Sequence, residues 1–150
     1  MARTHRAISN SDIAEVFVTI AKLLELQDAN IFRIRAYERA AELVASLPYS
    51  VCDRFMAGGE KALRELPGIG EDLAAKIAEY CTRGSLRYLR ELQREIPRGL
   101  LGVLEVEGMG PKRTRFVWKA FGVRSVRDLK RLVRSGALAE VPGWGSRSVE

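Results

Sequence analysis

Apolar residues along this chain recur at intervals of three and four, the period of a helix with one buried face. Ile13, Val16, Ile20, Leu23 and Leu24 form one such stripe, predicting a helix over Asn10–Leu26. Ser9, followed three residues later by Asp12, resembles a capping box at its start. Asn30 is placed to cap a second helix carrying Ile34, Tyr37, Ala41, Val44 and Leu47, which Pro48 stops. A short helix over 50–56 should end at Gly58 and Gly59. A helical pair follows over 60–83, closed by Gly84. A linking helix over 85–97 carries Leu86, Leu89 and Leu92 on one side and ends at Pro97. A second helical pair occupies 99–121, closed by Gly122, and one more helix spans 125–134 before Gly136. β-branched alternation is sparse, so the fold class expected is all-α.

Three short words sit at the corners of this pattern. They are LPGIG at 66–70, VEGMG at 106–110 and VPGWG at 141–145. Each reads apolar, any residue, Gly, apolar, Gly. A tight hairpin between helices needs backbone angles that glycine takes cheaply, supplied by Gly68 and Gly108. The apolar residue between the glycines (Ile69, Met109, Trp144) can plug the space between the helices. The second glycine, Gly70 or Gly110, opens the next helix, where the first N–H groups lack partners and the helix dipole is positive. Without a Cβ in the way, a phosphate oxygen can approach those groups. This is the logic of a helix-hairpin-helix, which reads the sugar-phosphate backbone and not the bases. For any single copy, a helix C-cap followed by a turn explains the glycines equally well. Three copies in matching context favour the phosphate device.

Charge sharpens that reading. The first sixty residues carry 7 basic and 8 acidic side chains, whereas residues 61–150 carry 18 basic and 11 acidic. Between Lys112 and Arg134 stand nine basic residues and a single acid, Asp128. The cluster begins with Lys112, Arg113 and Arg115, directly after the second word, where a polyanion clamp would want it. The bland alternative is a solvated basic helix face. No long uncharged apolar run exists, so no membrane span is expected. The opening MARTHRAISN has basic residues but no apolar core behind it, so no signal peptide is expected. The lone histidine, His5, argues against a His-based zinc site or a Ser-His-Asp triad. Cys52 and Cys81 lack metal-ligand spacing and are expected to be reduced core thiols. Trp118 and Phe121 are expected in the core, and Tyr37 beside Arg33 and Arg35 is the better candidate for a ligand contact.

Ordered blocks across nearly the whole length carry a further resemblance. DIAEVFVTIAKLLEL, NIFRIRAYERAAELVASLP, the run from GEKALRELPGIG to VEGMGPKRTR, and FGVRSVRDLKRLVRSGAL together resemble the N-terminal region of a family X DNA polymerase of bacterial type, the group that includes polymerase beta. The resemblance implies two small helical lobes joined by a helix, in a tandem helix-hairpin-helix arrangement. Residues 1–8 would be a disordered tail. Residues 9–84 would form the small N-terminal helical domain with the first hairpin, 85–97 the linking helix, and 98–150 a thumb-like module with the second hairpin and a truncated third. The chain stops five residues beyond Gly145, so a piece of a longer protein is expected. In that family a catalytic palm holding Mg2+ or Mn2+ follows. No Asp-x-Asp pair is present here, so this stretch is expected neither to polymerise nor to cut DNA with metals.

What the resemblance implies for function is binding of gapped, nicked or 5′-phosphorylated DNA without base specificity, as part of base excision repair. The DNA contacts would be Gly68, Ile69, Gly70, Gly108, Met109, Gly110, Lys112, Arg113 and Arg115. A 5′-phosphate pocket maps onto Arg33, Tyr37 and Arg64. Backbone carbonyls of Arg64, Leu66 and Ile69, and of Leu104, Val106 and Met109, would hold a Na+ or K+ ion. A monomer in the cytoplasm, associated with the nucleoid, is expected, with no small-molecule substrate. Some relatives remove a 5′-deoxyribose phosphate through a Schiff-base lysine, which maps onto Lys76. Here Asp72 departs from the pattern, placing a negative charge in the pocket four residues before Lys76. A neighbouring carboxylate favours a charged ammonium and weakens an amine as nucleophile. The other alternative is a helical protein-interaction module, although the FRIRAYERAA block separates this chain from other paired-hairpin proteins.

Overall fold

The computed structural model describes residues 7–144, and among these every regular element is helical. Two compact units divide the chain, residues 1–21 with 30–90 and residues 22–29 with 91–150, so the division falls inside two of the helices.

The first unit begins with α1, Asn10–Leu26, whose entry is the expected capping box. Ser9 N–H donates to Asp12 at 2.9 Å, and Asp12 N–H donates to the Ser9 hydroxyl at 3.1 Å. Asn10 then pins the approach to the third helix: its Nδ2 donates to the Tyr49 carbonyl at 2.7 Å, and its Oδ1 accepts from Val51 N–H at 2.8 Å. Helix α2, Ile31–Ser46, is capped by Asn30, which accepts from Phe32 N–H. Helix α3, Val51–Arg64, starts under Ser50 and breaks at Gly59, whose φ of 70° lies in the left-handed region. The break anticipated at Gly58 and Gly59 is therefore a kink between two helical segments. Helix α4, Glu71–Arg83, ends at the left-handed Gly84. Buried Phe17, Ile20, Ile34, Ala41, Val44, Leu63, Leu73 and Ile77 make the core of this unit. Each fully buried large aliphatic side chain contributes roughly 1.5–3 kcal/mol relative to exposure. Phe17, rather than Val16, takes the buried place on α1.

One sequence expectation is overturned here. Cys52 and Cys81 are joined in a disulfide with Cα atoms 5.5 Å apart, so they are not the reduced thiols anticipated. The first segment of α3 doubles back beside the last turns of α4, which brings positions 29 residues apart into bonding range.

In the second unit, the end of α5 (Arg87–Glu95) is followed by α6 (Leu100–Leu104), α7 (Gly110–Phe121), α8 (Val126–Ser135) and a 3-10 turn, Ala137–Glu140. Leu92, Ile96, Leu100, Val103, Val117, Val123, Leu129 and Leu138 are buried. Gly99 is required by contact: a Cβ there would meet the Arg124 carbonyl at 2.3 Å. Lys22 and Glu105 pair at 3.0 Å, the Lys22 side chain partly and the Glu105 side chain largely exposed, a contact of little energetic weight. The expected burial of Phe121 does not occur. It is 39% exposed, set edge-on against Phe116 at 5.9 Å, and Trp118 is only half-buried beneath the Lys119 ammonium. An apolar face wider than the narrow core of this unit accounts for both.

Candidate nucleic-acid interface

The three glycine words fold into one repeated backbone turn. Ile69 N–H donates to Leu66 at 3.1 Å, Met109 N–H to Val106 at 3.0 Å, and Trp144 N–H to Val141 at 3.0 Å. A preceding bond repeats as well: Leu66 to Leu63, Val106 to Val103, and Val141 to Leu138. The first glycine of each word has positive φ (77° at Gly68, 88° at Gly108, 84° at Gly143), as the third position of a type II turn demands. The intervening residue is the plug: Ile69, Met109 and Trp144 are 3%, 2% and 8% exposed. The first four positions of the three words are thus structural repeats, whereas at the fifth Gly70 is extended (φ −85°) and Gly110 left-handed (φ 54°). The helix after the third lies outside the described residues, as do Gly145 and His5, and as do residues 1–6 of the expected tail.

The corners are open. A Cβ at Gly68, Gly70 or Gly110 would meet nothing within 4 Å. Helices α4 and α7 both begin without a side-chain cap, leaving their first N–H groups to an outside acceptor. Their electrostatics differ. Glu71 and Asp72 occupy the first turn of α4, whereas the first turn of α7 has no acid and carries Pro111 and Lys112. Lys112 is exposed. Arg115 is half-buried, with a buried Nε that has no partner among the described atoms. Arg113 is half-buried and turned toward the loops: it donates to the Gly108 carbonyl at 2.9 Å and the Gly143 carbonyl at 3.2 Å. On α8, Arg127, Lys130, Arg131 and Arg134 are all exposed.

A second group of residues gathers in the first unit. Lys76 Nζ pairs with Asp72 at 2.7 Å and sits 4.8 Å from the centre of the Tyr88 ring. Arg33 donates to the Tyr88 hydroxyl, and its guanidinium lies over the same ring. The Tyr37 ring stacks on Tyr88 at 6.2 Å and meets Phe17 edge-on at 5.7 Å. Tyr37 is 2% exposed, and its hydroxyl has no hydrogen-bond partner among the described residues. Burial, with Asp72 and Tyr88 adding to it against Arg33, holds its phenol well above the usual tyrosine range, so it stays a neutral donor. The structure thus brings Arg33, Tyr37, Asp72 and Lys76 together. Arg64 ends α3 with an exposed side chain, and no described contact joins it to this group. Tyr88, the residue around which the group assembles, was missed. On α5 it lies off the leucine stripe, and only its aromatic character two residues after Leu86 could have marked it.

Two family comparisons match these two halves. The Helix-hairpin-helix domain family matches residues 8–86, and the SAM-like Helix-hairpin-helix tandem family matches residues 100–150. The chain therefore belongs to the helix-hairpin-helix family. It is also 32% identical, over 139 residues, to the DNA polymerase/3'-5' exonuclease PolX of Bacillus subtilis (strain 168), in agreement with the resemblance that the sequence blocks carry to a family X DNA polymerase. The alignment covers 93% of this chain and 23% of that relative, so the chain spans about a quarter of the polymerase's length.

Proposed function

We propose that this chain binds DNA through its sugar-phosphate backbone, without base specificity, at gaps or nicks, as the DNA-gripping portion of a family X repair polymerase. The observation that supports this best is the threefold repetition of one turn, with open glycine corners leading into uncapped helix starts. Amide hydrogens there suit a phosphate oxygen, and the α7 start has cations where α4 has acids, so the second hairpin is the stronger grip. The Arg33 guanidinium is the exposed donor for a terminal 5′-phosphate, and the Tyr37 hydroxyl, buried and without a hydrogen-bond partner among the described residues, is the donor behind it. A Na+ or K+ ion fits the hairpin carbonyls: each set consists of hard oxygens within one short turn, and those of Leu66 and Val106 keep a second lone pair beyond the turn bond. A monomer working in the cytoplasm is part of this reading.

The test is binding to gapped, nicked and intact duplexes, with and without a 5′-phosphate, across a salt series. If about five phosphates are neutralised, affinity should fall roughly 10²–10³-fold between 50 and 200 mM salt. Interrupted, 5′-phosphorylated duplexes should bind most tightly. No affinity for any duplex at low salt would transfer the fold to the protein-interaction alternative.

Schiff-base chemistry at Lys76 is disfavoured by the same geometry. Its Nζ is engaged by an Asp72 carboxylate oxygen at 2.7 Å and lies 4.8 Å from the centre of the Tyr88 ring, so it would have to leave both contacts to attack a sugar aldehyde. Borohydride treatment with a 5′-deoxyribose phosphate end is expected to trap no adduct. A covalent adduct abolished by Lys76→Ala would establish the lyase instead.

A further inference from the structure

Arg113 stands in the first turns of α7, next to the proposed phosphate site, yet its side chain is spent within the protein. Two of its nitrogens donate to backbone carbonyls on different hairpin turns, Gly108 on the second and Gly143 on the third. Its guanidinium lies 5.0 Å from the centre of the Trp144 ring. Trp144 is the buried plug of the third turn, and its ring also meets that of Phe116 of α7 at 5.8 Å. The third turn is therefore fastened to α7 at two points, one polar and one aromatic.

We propose that Arg113 is a positioning residue: it locks the second and third hairpin turns into one piece and leaves the phosphate to Lys112 and the α7 amides. This inference rests on the DNA reading above. Three physical points support it. First, a guanidinium presents a planar fork, so one side chain can serve two carbonyls and lie on an aromatic face together. Lysine, a point charge on a flexible stem, cannot hold that geometry. Second, the Gly108 carbonyl sits two residues before the α7 start, and an uncompensated oxygen there would repel a phosphate. Arg113 covers that partial negative charge. Third, the residue that sits next to it in sequence, Lys112, is exposed, with no ion pair among the described residues.

Direct contact and positioning differ in how binding depends on salt. A side chain that neutralises a phosphate contributes about 0.9 to the slope of log affinity against log salt, whereas a positioning residue changes affinity at constant slope. The 150-residue chain is measured on gapped duplex, with circular dichroism confirming that each variant is folded. Arg113→Ala should bind about tenfold more weakly with an unchanged slope, and Arg113→Lys should bind no better than Ala. Trp144→Leu should reproduce the loss, and the Arg113→Ala, Trp144→Leu pair should be no worse than either alone. Lys112→Ala should lower the slope. In a Trp118→Phe background, Arg113→Ala should shift Trp144 emission even without DNA. A slope lowered by Arg113→Ala and restored by Arg113→Lys would make Arg113 a phosphate contact and overturn the proposal. Unchanged affinity in Arg113→Ala would overturn it too. A parent chain with no salt-sensitive DNA binding would instead remove the DNA reading on which it rests.

Discussion

Removing the Cys52–Cys81 disulfide should lower the unfolding midpoint of the unit that carries it by about 15–25 °C. The estimate comes from loop length. The bond closes a separation of 29 residues, and cross-linking a loop of that size restricts the unfolded chain by about 3.5 kcal/mol. The native contacts do not depend on it: Leu63, Ile77 and Ala78 still bury the seam between α3 and α4. A reduced chain should therefore remain helical at room temperature while melting earlier. Both cysteines are half-buried and line a surface cleft with Ser9, Asp12, Tyr80 and Gly84, so a small dithiol can reach them without prior unfolding. Thermal unfolding with and without reductant measures the effect. The Cys52→Ser, Cys81→Ser pair should melt at the reduced midpoint and ignore reductant. A parent whose midpoint is indifferent to reductant, although alkylation shows two free thiols, would refute the estimate.

Local signals carried most of the fold. Two helix starts were legible because Ser9 and Asn30 place a side-chain oxygen where orphan amides need one, and each makes that bond; Ser50 and Ser125, read only as the first residues of their helices, make the same bond from outside them. Helix ends were legible because Gly84, Gly122 and Gly136 adopt the left-handed conformation that glycine reaches without strain. The three hairpin words were legible for the same reason, as the first four residues of each make one turn that needs a left-handed residue at its third position. What escaped depended on residues far apart in sequence. The Cys52–Cys81 bond needs α3 to double back beside α4, and no spacing rule announces that. Tyr88 joins Arg33 from 55 positions away. Arg113 looked like a free cation because sequence shows its charge and its neighbour Lys112, and hides two carbonyls, one of them 30 residues downstream. Side-chain direction at the site was the part least accessible to pattern.

Gly70→Ala should separate binding from folding, weakening DNA affinity about tenfold while leaving stability unchanged or slightly raised. The two glycines of the first word have different reasons to be glycine. Gly68 has φ of 77°, so any L side chain there is strained by roughly 1–2 kcal/mol, and its replacement damages the turn itself. Gly70 has φ of −85° and ψ of −170°, extended backbone open to every residue. A Cβ at Gly70 meets nothing within 4 Å, so the fold offers neither a steric nor a conformational reason for glycine at that position. Alanine also narrows the unfolded ensemble, worth about 0.4–1 kcal/mol in favour of the folded state. The remaining reason lies outside the protein: the empty space over Gly70 is where a phosphate oxygen would come to the uncapped amides of α4. A methyl group there holds the oxygen off by more than an ångström and forfeits hydrogen bonds that work only at about 2.7–3.2 Å. Denaturant unfolding and gapped-duplex binding of Gly70→Ala and Gly68→Ala, measured side by side, decide the matter. Gly68→Ala should lose stability and affinity together, and Gly70→Ala affinity alone. Parent-like binding by Gly70→Ala would mean that no ligand enters the first corner, and the grip would then belong to the second and third turns alone.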